Sequence, residues 1–135
     1  TRYGGDVGEL WCSEFYSWAV DTQAPTMGHR SNITSVLNFF NLYAGNVSNP
    51  STSRLQKAQR GDYLALDTSG NGSKNHSAMY LAYDKATGEM WTLEGNTSGV
   101  NQVGYESRRA GNETVVKTRD TSIVHNLGVL KSSMF

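Results

Sequence analysis

Four apolar positions near the start of the chain, Trp11, Phe15, Trp18 and Ala19, recur at i, i+4, i+7 and i+8, the spacing of one helix face. The amphipathic stretch runs from Leu10 to Val20. Pro25 ends it, because the residue before a proline is steered away from helical geometry. A second helix is predicted from Ser31 or Asn32, as its cap, through Val36, Leu37, Phe40 and Tyr43 to Gly45. Asn46 to Ser53 reads as a loop, and Leu55 to Gln59 as a short helical piece. After Arg60-Gly61-Asp62 the texture changes. Tyr63 to Leu66, His76 to Tyr83, Met90 to Gly95, Tyr105 to Arg109, Val115 to Arg119 and Ile123 to Leu130 read as strands. Asp84-Lys85-Ala86-Thr87-Gly88 resembles a type I turn with glycine in the left-handed position, joining the second and third of these into a hairpin. Helices first and an antiparallel sheet afterwards make the chain α+β.

Composition narrows the class. The 135 residues suffice for one domain, 1–135, with a core of its own, and no linker or internal repeat divides it. Charged residues are only 18% of the chain and the formal net charge is +0, with no Lys/Arg block. That argues against a nucleic-acid or anionic-membrane binder, since phosphate neutralisation needs clustered positive charge. No apolar run approaches membrane-spanning length, and no signal peptide is present. The sequence starts at Thr1 rather than Met, as a mature product or a trimmed piece of a longer protein would. Six Asn-x-Ser/Thr triplets, beginning at Asn32, Asn46, Asn71, Asn75, Asn96 and Asn112, are what chance produces in a chain rich in those residues.

The single cysteine permits no internal disulfide. A free cysteine taken at random is more often core filler than catalyst. Cys12 is different in position, because at the start of a helix unpaired N–H groups and the helix dipole favour the thiolate. Trp11, Phe15 and Trp18 would form the buried stripe, with Cys12 on its flank. Of three histidines, His29 and His125 have no chemistry nearby in sequence, whereas His76 opens a strand. If Asp84 lies opposite Gly88, the same register puts His76 opposite Asn96 and makes Glu94 a diagonal neighbour on the same face. Met79, Leu81, Trp91 and Leu93 would then form a core on the other face. Glu94 or Asn96 would orient the imidazole, Glu94 by charge and Asn96 by hydrogen bonding alone. Thiol, imidazole and orienting group are the parts of a cysteine nucleophile. Zinc motifs and a phosphate-binding glycine loop are missing. Asp62, Asp67, Asp84 and Glu106 read as turn formers or solvated surface.

Trp11-Cys12-Ser13-Glu14-Phe15 with Trp18, Arg60-Gly61-Asp62-Tyr63, the strand opened by His76, and Leu93-Glu94-Gly95-Asn96-Thr97 together resemble the CHAP family. These are cysteine, histidine-dependent amidohydrolases/peptidases related to the NlpC/P60 cell-wall hydrolases. The resemblance spans nearly the whole chain, and Glu-Gly-Asn-Thr after a strand is its most specific part. It implies a papain-like α+β fold that cuts peptidoglycan, as an N-acetylmuramoyl-L-alanine amidase or as a peptidase on stem peptides and cross-bridges. Cys12 would be the nucleophile, His76 the base, Glu94 the orienting residue and Asn96 a fourth polar member. Ser13 stands where the family often has alanine. Some phage members bind calcium before the cysteine; only Asp6 and Glu9 stand there, so no metal and no cofactor is expected. The implied partner is a stem peptide or cross-bridge, with a wall-binding domain or inhibitor protein lying outside this chain. The implied location is secreted or extracytoplasmic. Two other functions fit the same residues: a secreted antibacterial or host-directed effector that cleaves or deamidates a protein, and a silent module that binds wall peptides.

Overall fold

The computed structural model describes residues 12–21, 33–37, 43–97 and 113–131. Among them, three helices precede or interrupt the early strands: α1 (Cys12–Asp21), α2 (Ile33–Leu37) and α3 (Thr52–Gln56). The strands are β1 (Tyr43–Ser48), β2 (Tyr63–Leu66), β3 (His76–Asp84), β4 (Glu89–Thr97), β5 (Glu113–Asp120) and β6 (Val124–Leu130). They form one sheet in the order β1-β6-β2-β3-β4-β5, and every neighbouring pair is antiparallel. The class is therefore α+β. The strand expected at Tyr105 to Arg109, like Trp11, His29, Asp6, Glu9 and Glu106, lies outside the described residues.

Helix α1 meets the sheet through a different stripe from the expected one. Ser13, Tyr16, Ser17 and Val20 are buried at i, i+3, i+4 and i+7, while Trp18 is 39% exposed. Phe15 is buried as well. Small serines let the helix approach the strands closely, and the tyrosine supplies area with a polar tip that needs a partner. It finds one: Tyr16 Oη donates to the Gly61 carbonyl at 2.7 Å, and its ring meets Tyr63 edge-on at 4.7 Å between centroids. Gly61 sits at φ +100°, with Leu130 Cδ1 already 3.2 Å from where a Cβ would go, so both backbone angle and space call for glycine.

Both faces of the sheet are covered. Tyr16 and Val20 of α1 with Val36 and Leu37 of α2 pack on Tyr63 and Ala65, flanked by Met79 and Leu130. Across the sheet, Leu55 of α3 packs with Leu64, Leu66, Ala78, Tyr80, Met90, Val124 and Leu127. The deeper packing in the β3–β4 hairpin is thus on Ala78, Tyr80 and Met90. The expected core of Met79, Leu81, Trp91 and Leu93 is the shallower face, and Trp91 is 38% exposed.

Two further expectations are corrected. The second helix is described over Ile33–Leu37, and Tyr43–Ser48 pairs with β6 as an edge strand, in place of the expected helix end and loop. Gly45 and Asn46 are poor strand formers, so this pairing owes more to backbone ladder bonds with β6 than to side-chain pattern. Helix α3 begins earlier than expected, capped by Ser51, whose hydroxyl accepts from Arg54 N–H at 3.1 Å.

Candidate active site

Three elements converge on the site. Cys12 is the first residue of α1, His76 the first of β3, and Glu94 lies in β4. The β2–β3 loop delivers His76: Asp67 accepts from Gly70 and Gly72 N–H at 2.9 and 2.7 Å, and Asn75 Oδ1 accepts from Thr68 N–H at 3.0 Å. Asp67 therefore has the turn-forming role its sequence context gives it. Leu66 pairs with His76 across the loop.

The hairpin sets the relation of His76 to Glu94. Near the turn Asp84 pairs with Glu89, one residue out from the expected register. A bulge between Tyr80 and Ala82 absorbs that residue, so that Tyr80↔Thr92 and Met79↔Leu93 restore the expected pairing before His76 is reached. The diagonal contact then forms, with His76 Nε2 2.8 Å from Glu94 Oε1. Nε2 being engaged, Nδ1 is the ring nitrogen left for Cys12, whose side chain is hydrogen-bonded to His76.

Helix and strand are pinned beside the thiol. Ser77, next to His76, shares a hydrogen bond of 2.6 Å with Ser13 and one of 2.5 Å with Tyr63 Oη. The N–H groups of Ser77 and Ser13 also donate to the Cys12 sulfur. Burial alone would push the Cys12 thiol up, but the bond and charge of His76 and these two N–H donors bring it below its ordinary value. Burial would lower His76, and the bonds and charges of Cys12 and Glu94 outweigh it, raising the imidazole to about 9. Burial also opposes ionisation of Glu94; Arg119 and His76 overcome it and hold the carboxylate well below the usual range.

Glu94 is fully buried and uses both oxygens. Oε1 accepts from Arg119 Nη2 at 2.6 Å beside its contact with His76, and Oε2 accepts from Arg119 Nε at 2.8 Å and from Thr92 Oγ1 at 2.5 Å. Lys117, paired with Thr92 across the strands, is buried in the same neighbourhood, and burial with the charge of Arg119 lowers its pKa against the pull of Glu94. The result is a bonded series of thiol, imidazole, carboxylate and guanidinium in which each group favours the charged form of its neighbour.

Comparison with protein-family models, with curated proteins and with solved structures found no match to this chain. The site's chemistry therefore stands on its own geometry.

Of the four residues singled out in the sequence, Cys12, His76 and Glu94 meet, and the Asn96 side chain lies outside what the structure describes. His125 bonds instead to its neighbour, with Nδ1 2.8 Å from Asn126 Oδ1. Asp62 is buried rather than solvated. Its carboxylate accepts from Gln59 and Leu130 N–H at 3.0 Å each, tying the turn before β2 to the end of β6. Sequence reasoning passed over Arg119. Its register partner is Met90, four residues along β4 from Glu94, and only a side chain of this length spans that gap. A buried glutamate in a chain with few charges was the available signal, since such a carboxylate needs a cation.

Proposed function

We propose that this protein is a papain-like cysteine hydrolase that cleaves an amide bond in peptidoglycan, in the manner of the CHAP family that its sequence resembles. The observation that carries the chemistry is the bonded series Cys12–His76–Glu94, with the thiol lowered and the imidazole raised. A structural cysteine has no use for that arrangement. The substrate class rests on the resemblance, above all on Glu94-Gly95-Asn96-Thr97 at the end of β4.

In this reading the Cys12 thiolate attacks the amide carbonyl, forming a C–S bond while the carbonyl π electrons move to oxygen. The backbone N–H of Cys12 and a second donor stabilise that oxyanion. His76 imidazolium gives its proton to the leaving nitrogen as the C–N bond breaks, leaving a thioester. Neutral His76 then takes a proton from water, whose oxygen attacks the thioester and releases the acid and the thiolate. Glu94 holds the ring in one orientation and stabilises its charged form throughout.

Cys12→Ala and His76→Ala should each abolish hydrolysis of purified peptidoglycan while keeping the wild-type circular dichroism spectrum. Substantial turnover by either folded variant would remove that residue from the mechanism.

A further inference from the structure

Arg119 grips both oxygens of Glu94, at 2.8 Å through Nε and 2.6 Å through Nη2. The planar fork of a guanidinium matches a carboxylate in this two-bond manner, and an ammonium does not. Thr92 Oγ1 completes the set on Oε2, leaving the His76 contact on Oε1 as the remaining fixed direction. The carboxylate is fully buried, and an ion so placed needs compensation. Within the bonded series, a Cys12 thiolate, a His76 imidazolium and a Glu94 carboxylate would carry one net negative charge, and Arg119 supplies a positive charge bonded directly to it, with buried Lys117 nearby.

We propose that Arg119 is a positioning residue for the Cys12–His76 pair, clamping Glu94 so that the carboxylate stays ionised and aimed at the imidazole. This rests on the nucleophile reading of Cys12, but not on the identity of the substrate. Arg119 acts through Glu94 rather than on the reacting atoms. Among the described residues, the charged and titratable groups around the pair are Cys12 from α1, Tyr63 from β2, His76 from β3, Glu94 from β4, and Lys117 and Arg119 from β5. Removing the guanidinium frees Glu94 to turn from His76 or to take up a proton, and either change weakens the imidazolium and with it the thiolate.

The test is the rate of Cys12 alkylation by iodoacetamide from about pH 4 to about pH 9, which reports thiolate directly. Wild type should react well on the acid side of an ordinary thiol. Arg119→Gln should move that limb up by about one pH unit, a roughly tenfold slower reaction on the acid side. Arg119→Lys, which keeps charge but loses the fork, should move it the same way by less. In a Glu94→Gln background, Arg119→Gln should add no further shift. A purely structural arginine would lower the melting temperature and leave the limb in place. An unmoved limb in folded Arg119→Gln overturns the proposal, as does an equal shift in the Glu94→Gln background. If Arg119→Gln does not fold, an unmoved limb in Arg119→Lys does the same. A wild-type limb at the ordinary thiol position would instead sink the nucleophile reading and this proposal with it.

Discussion

Glu94 sits in β4 two residues before Asn96, and either could have oriented His76. The Glu94 carboxylate is bonded to the ring, and it stabilises imidazolium by charge, which an amide cannot do. Glu94→Gln should therefore slow turnover on the order of 10²-fold or more, and Asn96→Ala should slow it less. Steady-state rates of the two variants decide this, and the reverse order would give Asn96 the orienting role. The same pair of groups fixes the pH profile. In the proposed mechanism, acylation needs Cys12 as thiolate and His76 as imidazolium. The thiol lies below its ordinary value and the imidazole is raised to about 9. The rate constant kcat/KM should be bell-shaped, falling on the acid side as Cys12 takes up its proton and on the alkaline side near pH 9 as His76 loses its own. A profile still rising well above that value would contradict the ion pair.

At the scale of elements, the site depends on how α1 is seated. Its buried stripe is Ser13, Tyr16, Ser17 and Val20, and the Tyr16 hydroxyl donates to Gly61 at 2.7 Å. Tyr16→Phe should cost about 1 kcal/mol by leaving that carbonyl short of a donor. Leu55, 0% exposed, anchors the five-residue α3, and Leu55→Ala should cost about 2–5 kcal/mol. Urea unfolding of both variants measures these losses; a Leu55→Ala protein as stable as wild type would mean that α3 adds little to the core. The β3–β4 hairpin was legible in the sequence because the Asp84–Gly88 turn and the period-2 alternation point the same way. The bulge between Tyr80 and Ala82 was not, since two compensating single-residue shifts leave no trace in the pattern. The edge strand β1 was hidden for another reason. Its apolar positions also fit a helix, and the β6 partner that decides between them comes some eighty residues later. Trp18 misled the reading of α1, where small serines and a tyrosine took the buried face because they fit against the strands.

Across the whole molecule, a net charge of +0 hides a buried cluster in which charges alternate from α1 through β3 and β4 to β5. Its pH dependence follows from Glu94. Folding lowers the pKa of that carboxylate from its ordinary 4.5, so its stabilising contribution is fully present above that value and is lost as pH falls below it. Melting temperatures measured from about pH 7 down to about pH 3 should drop more steeply for wild type than for Glu94→Gln; parallel curves would show that the buried carboxylate does not drive acid unfolding. The proposed function at this scale is the cutting of a polymer, and it is tested by digesting purified peptidoglycan from several bacteria with wild type and with Cys12→Ala, reading the products by mass spectrometry. The expected products are wall fragments newly ended at a hydrolysed amide, as stem peptides freed from glycan or as cuts within stem or cross-bridge, all lost in Cys12→Ala. Intact walls after treatment with a wild-type enzyme whose Cys12 still alkylates readily would contradict it, and would turn the search toward a protein substrate.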